Sequence, residues 1–464
     1  MRYFDCTITV RKSQITLKQR LALSDGQVET PDPVTSPLHL DPARRLAVER
    51  LHYWLNYTLE KQAQTGGMES PCKQDDLKSI GWLLFDLLLP ATDDGDLRGA
   101  FREMYVKFVR EYENSPEKDL RLRLHLVFDQ AAEGFDTLPW EFLYIPELTD
   151  ANEGFFFAGE RTEMVLTRLM PESQLVKNLK PQPEKLRLLI VVVTATDPTT
   201  GPVALNEIEG VLKQLNGLEE ASRVSVKVLR NPSYDAFAKA LEDPDAGPPH
   251  VIHYIGHGKE GELALCKDPA DPDFDFEREK DPQLRWIEAE QIKALFANHK
   301  PRLIFLHACK GAASTSLKSL DSTARKLLAA RIPAVVAMQY SISNRDAGMF
   351  ARSFYESLGG GATLDEAVKV GRLVLGEIYP RRAHPRFGTP VVYLQSREPI
   401  VIPLADPALK NAASRVILPV NPPQSGPLNR PSQPAPPAAG SPAAAPPSPA
   451  STPPREPAPD GLTD

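Results

Sequence analysis

The sequence predicts an α/β protein: a mostly parallel sheet covered by helices on both faces, preceded by a further α/β half and followed by a disordered tail. Three observations carry this expectation. Apolar runs without polar alternation, such as Leu186-Arg-Leu-Leu-Ile-Val-Val-Val193, read as strands buried on both faces. In the second half such runs alternate with helix-period segments, the pattern of parallel strands joined by crossover helices. From about residue 404 the composition changes abruptly. Residues 421–464 are mostly Pro, Ala and Ser, too poor in large apolar side chains to offset the entropy of ordering.

Taken in order, the first half (1–180) opens with a strand at Tyr3–Val10, where apolar and polar residues alternate. Helical patterns follow near Pro42–Leu59, Leu77–Leu89 and Leu97–Tyr112, then a strand at Leu120–Val127. Leu138-Pro-Trp-Glu-Phe-Leu-Tyr144 is a short apolar element ending at Pro146, and no reactive constellation emerges from this half. The Pro-containing segment Lys180-Pro-Gln-Pro-Glu184 reads as a linker to the second half (185–403), and 404–464 is the tail. After the strand at Leu186–Val193 come a helix near Leu205–Leu218, a strand at Val224–Leu229 and a helix at Tyr234–Leu241. A strand from Val251, a loop rich in Asp and Pro, and a helix at Glu288–Ala297 precede the strand from Leu303. The alternation closes with a helix at Leu320–Ala330, a strand at Ala334–Gln339 and a helix at Asn344–Leu358. This last helix sets Ala347, Phe350, Ala351, Phe354, Tyr355 and Leu358 on one stripe. Thr363 with Glu366 has the spacing of a capping box for one further helix.

Composition narrows the function classes. A chain of 464 residues, 42% hydrophobic, supports a sizeable core. A net charge of -7 and a pI near 5.8 argue against nucleic acid as the main partner, because phosphate binding needs a basic face. No apolar run approaches the ~20 residues of a membrane span, and the first residues alternate like a strand instead of forming a secretory leader. Four cysteines (Cys6, Cys72, Cys266, Cys309) without close pairing read as reduced thiols, so a cytoplasmic protein is expected.

The chemistry concentrates at two strand ends, Val251-Ile-His-Tyr-Ile-Gly-His257-Gly258 and Leu303-Ile-Phe-Leu-His-Ala-Cys309. Reactive residues of open α/β sheets gather at the carboxyl ends of parallel strands. A His at one end and a Cys at another fit a thiol nucleophile with an imidazole base. His257 would accept the thiol proton, Cys309 would attack a carbonyl, and the backbone N–H groups of Gly258 and Cys309 could form an oxyanion hole. Lys310 could lower the thiol pKa or simply face solvent. His253 and His307 share strand faces with His257 and Cys309, so a zinc site is a competing reading, weakened by the lack of further closely spaced ligands. Cys266 is a weaker nucleophile candidate. The loop Thr194–Gly201 lacks both the dinucleotide glycine pattern and a phosphate-loop Gly-Lys-Ser/Thr, and no Gly-x-Ser-x-Gly elbow follows a strand.

These residues resemble the CHAT family, caspase-like cysteine peptidases related to separase. The resemblance rests on an ordered series: Leu138–Tyr144, His253-Tyr-Ile-Gly-His257-Gly258, His307-Ala-Cys309, Ile332–Gln339, Phe350–Tyr355, Leu364-Asp-Glu-Ala367 and Pro390-Val-Val-Tyr393. It implies a caspase-like fold, a preceding non-catalytic caspase-like half, His257 and Cys309 as catalytic dyad, no cofactor, and a protein substrate. Two positions depart from the family pattern: His307 stands where Asn is usual, and Gly311 where Ser is frequent. In related peptidases an acidic residue beyond the next strand binds a basic P1 side chain. Here Asn344 and Asp346 match that stretch, although Ser343-x-x-Asp346 is equally a helix cap. The resemblance implies a regulated endopeptidase of prokaryotic type, an effector in signalling or defence with a regulatory protein partner. The alternative is a catalytically silent CHAT module that serves as a protein-binding scaffold.

Overall fold

The computed structural model describes residues 1–38, 42–64, 74–91, 96–129, 135–148, 154–176, 186–196, 208–209, 211–213, 224–243, 247–259, 261–279, 281–310, 319–340, 342–377 and 385–396. All of them belong to one compact unit, Met1–Leu418. The linker at 180–184, most of the helix expected at 205–218 and the tail at 404–464 lie outside the described residues.

Period-two burial marks the first strand. In β1 (Arg2–Val10), Phe4, Cys6, Ile8 and Val10 are buried and the residues between them half-buried. It pairs antiparallel with β2 (Gln14–Ala22), which carries the short strands β3 (Val28–Glu29) and β4 (Val34–Pro37), and parallel with β5 (Leu120–Phe128). Three helices, Pro42–Gln64, Gln74–Leu88 and Leu97–Asn114, lie between β4 and β5 in sequence. The third starts where the Asp96 side chain accepts the Gly99 N–H at 2.6 Å, and it buries Phe101, Met104, Tyr105 and Phe108. Trp140–Phe142 forms a single 3₁₀ turn. Beyond it β6 (Tyr144–Ile145) and β7 (Phe155–Phe156) pair with each other, and β8 (Met164–Leu169) runs parallel to β5.

The second half is the expected parallel alternation. Alternate residues of β9 (Leu186–Val192) enter opposite cores: Leu188, Ile190 and Val192 join one cluster, Leu189 and Val191 the other. Burial on both faces explains why the run carries no polar alternation. β10 (Val224–Arg230), β9, β11 (Val251–Lys259), β14 (Leu303–Lys310) and β15 (Ala334–Met338) are mutually parallel. β12 (Glu262–Cys266) and β13 (Leu284–Glu288) form an antiparallel extension of β11. β16 (Pro390–Leu394) runs antiparallel to β15 and parallel to β8. The β16–β8 contact joins both halves into one sheet of fourteen strands among the described residues; eleven form the path β10-β9-β11-β14-β15-β16-β8-β5-β1-β2-β3, and β12, β13 and β4 lie off it.

Helices cover both faces. The helix Asn344–Gly359 buries Ala347, Phe350, Ala351, Phe354, Tyr355 and Leu358, the stripe read from the sequence. Phe350 and Phe354 each lie 5.8 Å from the ring of Phe305 on β14. On the other face Leu327 and Leu328 of the helix Ser319–Ala329 share a cluster with Ile304 and Leu306. The helix Leu364–Glu377 opens as the capping spacing predicts: the Glu366 carboxylate accepts both the Thr363 N–H at 3.3 Å and its hydroxyl at 2.9 Å.

Candidate active site

The carboxyl ends of β11 and β14 set the site. Their parallel register pairs His257 with Cys309, Gly258 with Lys310 and Ile255 with His307. Positions 257 and 309 are therefore neighbours across the sheet, separated by one interstrand spacing of about 4.8 Å. The sequence suggested that β11 gives way to loop at Gly258. The strand instead runs to Lys259, turns at Gly261 (φ 74°) and returns as β12, with Gly258 opposite Leu263. The hairpin fixes the backbone beyond His257, which is 5% exposed.

Tyr254 locks this strand end. Its hydroxyl lies 2.8 Å from the His257 carbonyl and 2.8 Å from the Ala264 carbonyl, so the phenol holds the strand end to its hairpin partner. The phenol passes over Gly256, where a Cβ would stand 2.6 Å from the hydroxyl and 3.1 Å from Val193 Cβ. Glycine inside a buried strand is explained here by a close approach.

The two rival histidines lie deeper. His253 is fully buried, its ring 4.3 Å from Phe305, 5.8 Å from Tyr355 and 6.0 Å from His307. Neither ring has a hydrogen-bond partner among the described residues. Burial, with His307 nearby, holds His253 well below the usual imidazole range, and burial alone pushes His307 down to about 4. Both are neutral rings inside an aromatic layer beneath the strand ends. Cys266, at the end of β12, is 5% exposed, and burial pushes its thiol up to about 12, which leaves almost no thiolate at neutral pH.

At the carboxyl end of β15 the structure adds Arg386 and the Glu141–Arg168–Gln339 contacts to the residues that the sequence singled out. Ser343 caps the helix Asn344–Gly359 by accepting the Asp346 N–H at 3.2 Å, as the cap reading predicts. The Asp346 carboxylate, 1% exposed, is ion-paired with Arg386, itself 4% exposed. A basic substrate side chain would have to displace that guanidinium to reach Asp346. Asn344 opens the helix. Next to this corner, Glu141 receives two hydrogen bonds from Arg168, at 3.1 and 2.7 Å, and one from the Gln339 amide at 2.9 Å. Arg168 also donates to the carbonyls of Asp136 (2.6 Å) and Leu138 (3.1 Å). A carboxylate inside the apolar run Leu138–Tyr144 was the available signal, since a buried charge needs a partner.

Fold and strand-end geometry define a class: an α/β protein whose parallel sheet carries a histidine and a cysteine on adjacent carboxyl ends. The CHAT domain family model matches residues 99–388, more than half of the sequence, and the chain belongs to the CHAT domain family. No curated protein matches it. Among solved structures it is similar to the Saccharomyces cerevisiae separase–securin complex, at 15% identity and a TM-score of 0.38. That match covers 85% of this chain and 30% of that one, so the chain spans under a third of its separase counterpart. It is also similar to the complex of the Porphyromonas gingivalis RgpB pro- and mature domains, at 13% identity and a TM-score of 0.39, covering 78% of each chain. No helix among the described residues is long and apolar enough to cross a membrane.

Proposed function

We propose that this chain is a cysteine endopeptidase that cleaves a protein substrate through Cys309 and His257. The observation that supports this most directly is the β11–β14 register, which makes His257 and Cys309 neighbours at the carboxyl edge within the CHAT region. In this reading His257 takes the Cys309 thiol proton and the thiolate sulfur attacks the scissile carbonyl carbon. The resulting oxyanion accepts the backbone N–H groups of Gly258 and Cys309. The imidazolium returns the proton to the leaving amine. A water deprotonated by His257 then hydrolyses the thioester and restores the thiol. The chemistry calls for no cofactor. The biological setting proposed is a cytoplasmic effector in signalling or defence, controlled by a protein partner, without nucleic acid or membrane as ligand. Asn344 is the candidate contact for the P1 side chain, because Asp346 is occupied by Arg386.

The test is labelling of the purified chain by a panel of peptide acyloxymethyl ketones, comparing wild type with Cys309→Ala and His257→Ala. Labelling that is lost in both variants is expected, and the preferred peptide reports the P1 residue. Labelling that survives in Cys309→Ala would move the nucleophile elsewhere. A chain that reacts with no peptide, alone or with its cellular partners, would be a silent CHAT module acting as a protein-binding scaffold.

A further inference from the structure

The opposite edge of the same sheet holds a second feature. The amino ends of β9, β11, β14 and β15 border a half-open cavity of about 330 Å³. Arg187, His250, His299, Lys300, Arg302 and Arg331 line it, and among the described residues no Asp or Glu does. Such a concentration of cations is unexpected in a chain of net charge -7.

Three details show a built site. His250 is 4% exposed, and its Nδ1 accepts the Arg187 backbone N–H at 3.1 Å. That bond puts the ring proton on Nε2. Nε2 is buried and has no partner among the described residues, and His250 is one of the residues that line the cavity. Arg331 follows the helix Ser319–Ala329 with φ 61°, a left-handed conformation usually reserved for Gly or Asn, yet it carries a long cationic side chain to the rim. Arg187 donates from Nε to the Pro248 carbonyl at 2.8 Å, which anchors its guanidinium at the wall. Burial lowers the pKa of Arg187 and Arg302, and pushes His250 down to about 4 with the two arginines adding to the effect. His250 is thus a neutral ring set among positive charges.

We propose that this cavity binds a free, small, phosphate-bearing anion, held by the guanidinium groups of Arg187, Arg302 and Arg331 beside the neutral ring of His250. Planar guanidinium forks match phosphate oxygens in bidentate geometry, and charge-assisted bonds of this kind are the strong ones. The volume exceeds one bare phosphate, given about 30 Å³ per water molecule. A diphosphate, or a phosphate on a small organic group, fills it better.

Binding is tested on the full chain by calorimetry and thermal shift in phosphate-free buffer, titrating pyrophosphate, inorganic phosphate and citrate. Expected are saturable binding and a rise in Tm, with pyrophosphate tightest. Arg302→Gln with Arg331→Gln should weaken pyrophosphate at least tenfold. Arg331→Gly guards against a folding artefact: it removes a cation while relaxing the backbone, so the ligand-free Tm should hold or rise while affinity falls. The proposal is overturned by no saturable pyrophosphate binding at millimolar concentration, or by affinity unchanged in these variants. Citrate binding as tightly as pyrophosphate would overturn the assignment to phosphate. The readout does not involve Cys309 chemistry, so its failure would leave the peptidase reading standing.

Discussion

Arg168 is expected to be among the most sensitive residues of the fold. Its guanidinium donates twice to Glu141 and once each to the carbonyls of Asp136 and Leu138, and its side chain is 5% exposed. Arg168→Met keeps most of the apolar stem but leaves the Glu141 carboxylate, 1% exposed, with the Gln339 amide alone. Breaking one partner out of a buried ion pair costs about 3–5 kcal/mol, because the remaining charge is desolvated without compensation. Unfolding entropy of roughly 2.1 cal/mol/K per residue over the 418-residue unit gives about 0.9 kcal/mol/K, so Tm should fall by about 3–6 °C. Calorimetry of wild type, Arg168→Met and the double variant Arg168→Met/Glu141→Met checks this. The double variant should recover much of the loss, since it removes the orphaned charge and substitutes packing. A single variant within about 1 °C of wild type, or a double variant worse than the single one, would refute the reasoning.

Further outcomes follow from the two strands that carry His257 and Cys309. Gly256→Ala forces the Tyr254 hydroxyl off the His257 and Ala264 carbonyls; it should cost about 1–3 kcal/mol and reduce peptide-probe labelling, whereas Tyr254→Phe should cost only about 1 kcal/mol; urea unfolding and labelling rates read both. Because His307 is held neutral down to about 4 while an unfolded histidine titrates near 6.5, the unfolded chain takes up a proton that the fold refuses as pH falls from about 6.5 to 4. Stability is therefore fully present above pH 6.5 and declines towards pH 4, by roughly 3 kcal/mol for this one group. Urea unfolding across that range should show a shallower decline for His307→Phe, and parallel curves would show that the ring is protonated in place.

What the sequence made legible is what leaves a periodic trace. β9, β11 and β14 are apolar on both faces, and the stripe from Ala347 to Leu358 repeats at helical spacing, so each could be read without the rest of the chain. The reactive strand ends were legible because a His and a Cys terminate apolar runs, although their pairing across the sheet needed the register. β2 was not singled out: an outer strand carrying Lys18, Gln19 and Arg20 beside Leu17 and Leu21 has a broken apolar pattern. The hairpin of β12 and β13 lay within a segment whose Asp and Pro content reads as loop. Pairings such as Asp346 with Arg386 or Glu141 with Arg168 join residues far apart in the chain, and distance in sequence erases any local sign of them. The basic cavity is harder still, being assembled from the residues just before several strands, each unremarkable alone.

A second set of long-range pairings crosses between the two halves. Arg123 on β5 meets Asp365 of the helix Leu364–Glu377 at 2.8 Å, and both are buried. From the same helix Lys369 donates to the Ala158 carbonyl at 3.2 Å, and Arg372 donates to the carbonyls of Leu166 (3.3 Å) and Pro390 (2.6 Å). Gln339 reaches back to Glu141. All of these except the Arg372–Pro390 bond join a polar group of the second half to the first, at a seam where an unsatisfied buried donor would be costly. Hydrophobic contact alone would hold the seam together without fixing its geometry, since apolar surfaces slide at little cost. Directional bonds from Arg372 to Pro390 on β16, and from Gln339 just past β15 to Glu141, tie down β16 and the end of β15, and β15 is the immediate neighbour of the strand that carries Cys309. The first half contributes no reactive residue to the proposed chemistry. Its contribution is to hold the sheet next to that chemistry in one register.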